Sequence, residues 1–140
     1  MSATLIGGIA RTPVPQTALR RFLALDAVVT AGNGLAYAVF PDALGRLLGV
    51  GPELLPVLGV LLVGYGAGVG LLASRRRPPA PAVKLVVEVN CAWAVLSLVS
   101  LLLWSAPTAA GLFWIPAQAL VVAAFAVLQR LALRSVSAVQ

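Results

Sequence analysis

The stretch from Phe22 to Phe40, FLALDAVVTAGNGLAYAVF, constrains the fold most, because it has the length and apolarity of a membrane-spanning helix and yet contains an acid. At helical spacing its polar residues fall at i, i+4, i+7 and i+11, within about 40° of one line along the helix. These residues are Asp26, Thr30, Asn33 and Tyr37. Lipid cannot solvate such a stripe, so we expect other helices to cover it.

The composition of the whole chain indicates that its solvent is lipid. Of the 140 residues 61% are hydrophobic and 10% are charged, whereas a soluble domain has about 45–50% apolar and about 25% charged residues. The chain has one cysteine, Cys91, and no histidine. This excludes an intrachain disulfide, histidine-ligated metal or haem sites and histidine-based catalytic triads. We therefore predict no cofactor and no metal site.

Four segments approach the roughly 20 residues that a helix needs to cross a bilayer. We predict these spans at about residues 20–40, 53–74, 83–104 and 112–133, within a domain that covers residues 19–134. Residues 1–18 are predicted to form an N-terminal tail, and residues 135–140 a C-terminal tail. Proline cannot continue a helix, so Pro41 ends the first span. The segment after it predicts a short helix on the membrane surface.

A cleaved signal peptide is an alternative interpretation of the first span. Arg20 and Arg21 would form its basic region, and Ala36-Tyr37-Ala38 matches a small-x-small cleavage site. The polar side chains of Asp26 and Asn33 interrupt the apolar segment that a signal peptide needs, which disfavours cleavage.

The basic residues predict the orientation of the protein in the membrane. Nine of the ten Lys and Arg residues lie in the N-terminal tail or at the start of the first span, in the loop at residues 75–84, or near the C-terminus, and only Arg46 lies elsewhere. Because cytoplasmic loops are rich in Lys and Arg, we expect a multi-pass plasma-membrane protein with both termini in the cytoplasm. The net charge of +6 does not predict a nucleic-acid partner, since the basic residues flank apolar runs.

The two halves of the chain have similar patterns, which predict two helical hairpins related as a weak parallel repeat. In each half a basic residue precedes an acid by four or five positions, so that Arg21 and Asp26 correspond to Lys84 and Glu88. Each half crosses the membrane twice, so both repeats would have the same orientation. The predicted fold class is therefore all-α, a polytopic four-helix bundle in the membrane.

Glycines in the second span predict close helix contacts. Gly64 and Gly68 form one small-xxx-small pair, and Gly66 and Gly70 form another. Small residues at this spacing let helix backbones approach each other, so we expect a homo-oligomer that associates through this span.

Four motifs lie in the predicted spans and in the turn between the first two: LALDAVVTAGNGLAY, GVGPELLPVLG, VNCAWAVLSL and WIPAQALVV. In this arrangement the chain resembles small uncharacterised four-helix integral membrane proteins of high-GC bacteria and, more loosely, DoxX-like membrane proteins. The resemblance covers about residues 19–134. It implies a four-helix membrane fold, and it implies neither a reaction nor a functional residue.

Asp26 and Glu88 are the candidate catalytic residues if the protein is an enzyme. The first and third spans run in the same direction, and both acids are predicted roughly 6–8 Å inside the basic rim at 1.5 Å per residue. Two carboxylates that meet at this depth would share a proton and act as an acid–base pair. The structural alternative is that Glu88 forms a salt bridge with Lys84, and that Asp26 pairs with Arg20, Arg21 or Lys84.

Six further residues are predicted to line an intramembrane ligand pocket: Thr30, Asn33, Tyr37, Asn90, Trp93 and Gln118. Asn90 lies on a different face of the third span from Glu88, because two residues turn a helix by about 200°. Hydrogen bonding between helices and a place in the interfacial aromatic belt are the alternative roles for these residues.

These features lead to three hypotheses for function. The first is a membrane protein whose polar pocket binds a lipophilic small molecule or a partner helix. The second is an intramembrane isomerase or cyclase that acts on an isoprenoid- or quinone-like substrate through Asp26 and Glu88. The third is a proton-coupled small-molecule exporter, which the absence of an inverted repeat disfavours. The expected partners are membrane lipids, a lipophilic small molecule and further copies of the chain, and the sequence leaves catalysis undecided.

Overall fold

The structure is a computed structural model that describes residues 14–103 and 107–137, and these residues form five α-helices and no β-strand. The helices are α1 Val14–Val39, α2 Pro41–Leu48, α3 Leu54–Ser74, α4 Ala80–Leu103 and α5 Ala109–Ser137. The four longer helices, α1, α3, α4 and α5, are long and apolar enough to cross a membrane. The predicted all-α class with four candidate spans is thereby confirmed.

Two of the long helices extend beyond the predicted spans. α1 begins at Val14 rather than near residue 20, and α5 continues to Ser137 rather than ending near residue 133. The predicted bounds were set by the apolar residues alone. A helix can continue past them into the polar margin of a membrane, because its backbone hydrogen bonds do not require apolar side chains. The remaining parts of both predicted tails, residues 1–13 and 138–140, lie outside the described residues.

The connection between α1 and α3 contains the short helix α2. Pro41 occupies the first turn of α2, where its missing N–H is not needed. Gly49 ends the helix with φ 73°, in the left-handed region that glycine adopts most readily, and its N–H donates to the carbonyl of Gly45. Leu48 is buried and Leu47 is exposed, so α2 packs one side against the long helices.

α1 and α3 pack most closely of all the helices, along a seam of small residues. A Cβ atom added to Gly59 would lie 2.6 Å from the carbonyl oxygen of Gly34, and one added to Gly66 would lie 2.9 Å from a backbone nitrogen of α1. Glycine therefore permits this approach of the two backbones. Gly64 and Gly68, in contrast, have no atom within 4 Å of such a Cβ, so they face away from α1.

α4 and α5 form the second packed hairpin; α5 also packs against α1, and α3 meets α4 only loosely. An apolar cluster closes the end near the chain termini: Leu19, Leu23, Ala27, Val69, Ala73, Val83, Val86, Ala132, Leu133 and Val136. A smaller cluster closes the opposite end: Tyr37, Leu48, Leu55 and Leu62. Tyr37, from the polar stripe of α1, belongs to this second cluster.

Two polar residues of the second hairpin follow polar residues of the first by the same number of positions. Asn90 lies 64 residues after Asp26, and Gln129 lies at the same distance after Tyr65. These four residues are joined by hydrogen bonds, since Gln129 donates to Asp26 and Tyr65 donates to Asn90. The predicted repeat matched Asp26 with Glu88, whereas the residue of α4 that is buried against Asp26 is the amide of Asn90.

Candidate functional site

Asp26 lies at the middle of α1 with 1% of its surface exposed. Its Oδ2 accepts hydrogen bonds of 2.8 Å from the side-chain amides of Asn90 and Gln129. Its Oδ1 accepts a hydrogen bond of 2.9 Å from the hydroxyl of Thr30. Asn90 also donates to the Oε1 of Gln129 at 3.1 Å. We call these four residues the Asp26 cluster; in it every donor to the carboxylate is a neutral side chain, and the carboxylate is shielded from lipid.

Tyr65 connects the Asp26 cluster to α3. Its hydroxyl lies 3.2 Å from the Oδ1 of Asn90 and 3.2 Å from the carbonyl oxygen of Val86. All four long helices therefore contribute to one hydrogen-bonded layer. A side-chain hydrogen bond between membrane helices contributes about 0.6 kcal/mol on average. The layer therefore fixes the rotation of the helices through several hydrogen bonds that are each weakly stabilising.

Gln129 is fully buried, and sequence reasoning missed it. It lies eleven residues after Gln118, the same spacing that relates Asp26 to Tyr37 in the first polar stripe. That spacing was the available signal. The neighbouring Arg130 concealed it, because a glutamine next to an arginine has the pattern of a membrane interface. Sequence reasoning also missed Tyr65, because a lone tyrosine in an apolar span forms no polar stripe.

A second polar layer lies closer to the α1–α2 connection. The indole N–H of Trp93 donates to the Oε1 of Gln118 at 2.7 Å, and that of Trp114 donates to the hydroxyl of Tyr37 at 2.9 Å. Trp93, Trp114 and Gln118 each contribute to the walls of two cavities, so this layer separates them.

The larger cavity has a volume of about 720 Å³ and is lined by all four long helices. Its polar lining consists of Thr30, Asn33, Tyr65, Asn90, Trp93, Trp114 and Gln118. The rest of its wall is apolar, and none of the described residues that line it is charged. Exposed residues of all four long helices belong to the wall: Val28 and Val29 of α1, Leu61 of α3, Val89 of α4 and Val121 of α5. The cavity is therefore open sideways to the outer surface of the helices.

Asn33 stands out in the wall of the larger cavity. It is half-buried, and its side chain forms no hydrogen bond with any other residue of the described ranges. A carboxamide has two donor hydrogens and an acceptor oxygen, and leaving such a group unsatisfied away from water costs about 1–3 kcal/mol. Asn33 is thus the polar group in the wall with its full capacity available to a bound molecule.

The smaller cavity, of about 320 Å³, lies on the α3–α4 side. Tyr37 lines this cavity and not the larger one. Ser97 and Ser100, also in its wall, donate to the carbonyls of Trp93 and Ser97 of their own helix. Their hydroxyls are therefore engaged with the backbone, as serines in apolar helices often are.

The structure does not bring Glu88 to Asp26. Glu88 is exposed and lines a separate groove between α4 and α5, while Asn90 turns into the interior. The prediction considered only the depth of the two acids along their helices. The rotation of α4 about its axis directs Glu88 away from Asp26.

Arg20, predicted as a possible partner of Asp26, instead donates a hydrogen bond of 3.0 Å to the carbonyl of Ala73. Ala73 lies in the last turn of α3, where carbonyl groups lack helical partners and carry partial negative charge. Arg20 therefore caps α3.

No family model, curated protein or solved structure matches the chain. Within the part of the chain that the structure describes, no group of three or more metal-ligating side chains is placed to hold a metal ion. Among the described residues, the geometry provides an apolar cavity that is open to the side of the molecule, with the amide of Asn33 and two indole rings in its wall.

Proposed function

We propose that the protein is an integral membrane protein that binds a lipophilic small molecule with an uncharged polar head in its larger cavity. The observation that carries this proposal is the cavity of about 720 Å³ between four candidate membrane spans. Its volume lies within the range of about 300–1,000 Å³ that is typical of small-molecule sites. The sideways opening gives a molecule dissolved in the bilayer a route into it.

The chemistry of the wall favours a neutral head with carbonyl or hydroxyl oxygen atoms. The amide of Asn33 can donate to such an oxygen and accept from a hydroxyl. A phosphate or ammonium head would meet no opposite charge among the lining residues, and burying it there would be costly. Trp93 and Trp114 add aromatic faces against which a ring can pack. An isoprenoid- or quinone-like molecule has these properties.

We further propose that the protein lies in the plasma membrane with both termini in the cytoplasm. Support comes from the arginines at residues 75–77, between α3 and α4, and from Arg130 and Arg134 near the end of α5. In this orientation the Asp26 cluster lies toward the cytoplasmic side and the Trp93–Gln118 pair toward the outer side.

The other hypotheses have less support. An acid–base enzyme needs Asp26 and Glu88 on one cavity, and the exposed position of Glu88 does not support that arrangement. A partner helix as the occupant and a proton-coupled exporter have no specific observation in their favour. The resemblance to DoxX-like proteins stays a prediction.

The test is to recover the bound molecule from the purified protein. Ala117→Phe fills the wall of the larger cavity, and Ala124→Phe makes the same change at an exposed position of the same helix. Protein purified in mild detergent is extracted with organic solvent, and mass spectrometry counts each lipophilic species per protein.

We expect wild type and A124F to retain one neutral lipophilic species. A117F should retain roughly tenfold less, as a loss of about 1.4 kcal/mol in binding predicts. Recovery of equal amounts from all three proteins, or of bulk phospholipid alone, would overturn the proposal.

A further inference from the structure

A groove of about 610 Å³ lies between α4 and α5, at the end of the molecule where α5 ends. Four charged residues line it: Lys84, Glu88, Arg130 and Arg134. Two buried apolar residues, Val87 and Leu133, also contribute to its wall. The groove thus combines an excess of positive charge with an apolar surface, and it is separate from both cavities described above.

The side of α5 that carries the arginines contrasts with the close seam of α3. At the spacing of 64 residues noted above, Arg130 and Arg134 follow Gly66 and Gly70 of α3. Gly66 lies directly against the backbone of α1, whereas Arg130 and Arg134 are exposed and line the groove. α4 and α5 also pack less closely than α1 and α3.

The charges in the groove match a phosphate group. Arg130 and Arg134 are one helical turn apart, so both guanidinium groups extend along the same side of α5. Guanidinium groups form paired, charge-assisted hydrogen bonds with phosphate oxygens. Lys84 adds a third cation from α4, and Glu88 offsets only one of the three.

We infer that this groove binds the phosphate of an anionic phospholipid. α4 and α5 are both candidate membrane spans, so a lipid phosphate in the groove has its acyl chains beside their exposed apolar faces. Basic pockets between membrane helices on the cytoplasmic side bind anionic head groups in this way. The inference does not depend on a ligand in the larger cavity.

The experiment measures lipid binding to the delipidated full-length protein in an uncharged detergent. Phosphatidylglycerol is titrated and followed by native mass spectrometry, with phosphatidylcholine as the lipid without net charge. The test variant is R130Q/R134Q. Its matched control is R76Q/R77Q, which removes the same charge from an exposed loop at the same end of the molecule.

We expect phosphatidylglycerol to bind wild type and R76Q/R77Q equally, and R130Q/R134Q roughly tenfold or more weakly, because two charge-assisted contacts are lost. E88Q removes the one repulsive charge and should bind phosphatidylglycerol more tightly than wild type. The gain in E88Q keeps the test decisive if R130Q/R134Q does not fold.

Three results would overturn the inference. Equal binding of phosphatidylcholine would show that phosphate charge is not recognised. An equal loss in R76Q/R77Q would indicate general electrostatic attraction. Binding to E88Q that is no tighter than binding to wild type would show that no phosphate lies beside Glu88 in the groove. A fourth arm adds millimolar inorganic phosphate; if it displaces the lipid completely, the groove is a site for free phosphate and the lipid assignment fails.

Discussion

Replacing Gly66 by alanine tests the close packing of α1 and α3. The added Cβ would lie 2.9 Å from the backbone nitrogen of Ala31 and 3.1 Å from the carbonyl oxygen of Ala27. The first distance is shorter than real Cβ contacts allow, and the atoms it meets belong to the backbone, which cannot rotate away. α3 must therefore shift from α1, and over-packing of this kind costs about 1–3 kcal/mol.

Gly64→Ala is the matched control, because its Cβ meets nothing within 4 Å on the same helix. Alanine is favoured over glycine in a helix interior by about 0.8–1.0 kcal/mol, and both variants share this gain. The difference between them therefore isolates the clash. We expect the free energy of unfolding of G66A to be lower than that of G64A by about 1–3 kcal/mol.

The assay is unfolding by sodium dodecyl sulfate in mixed micelles, followed by helical circular dichroism at a high ratio of detergent to protein. Gly34→Ala should resemble G66A, since its Cβ would lie 2.8 Å from the carbonyl oxygen of Gly59. If G64A and G66A unfold at the same detergent fraction, or if G64A is the less stable, the seam between α1 and α3 is refuted.

Three further predictions use the same preparations. Asn33→Leu should leave the free energy of unfolding unchanged or raise it, and should weaken retention of the bound molecule roughly tenfold; a large loss of stability would contradict the free amide. Arg20→Gln should lower the free energy of unfolding by about 0.3–1 kcal/mol by removing the cap of α3, while Arg21→Gln at an exposed position should not. Gly64→Leu combined with Gly68→Leu should convert an oligomer to a monomer in mild detergent, as measured by light scattering, without loss of helix; a monomeric wild type would contradict self-association through this face.

The positions of the four long helices and the buried polar face of the first one could be predicted from the sequence, because both follow from the pattern of hydrophobic residues along the chain. The apolar runs locate α1, α3, α4 and α5, and the polar stripe predicts that Asp26 turns away from lipid. Asp26 and Tyr37 are indeed buried. Asn90 was also placed on the correct face, since its angle from Glu88 follows from helical geometry alone.

The contacts that each residue makes with other helices could not be predicted in the same way. Which glycines of α3 meet α1 depends on the rotation of α3, so Gly64 and Gly66 are equivalent in sequence and opposite in the structure. Asp26 meets amides and not Glu88 for the same reason. Gln129 lies far along the chain and joins the cluster only through the packing of α5 against α1.

A double-mutant cycle on unfolding tests most directly whether Asp26 is held by amides in a cluster shielded from lipid. Asp26→Ala and Gln129→Ala should be coupled by about 0.6–2 kcal/mol, since each removes the other's hydrogen bond. Asp26→Ala and Glu88→Ala should be additive to within about 0.5 kcal/mol. Additivity with Gln129 together with coupling to Glu88 would contradict the buried cluster and the proposals that depend on it.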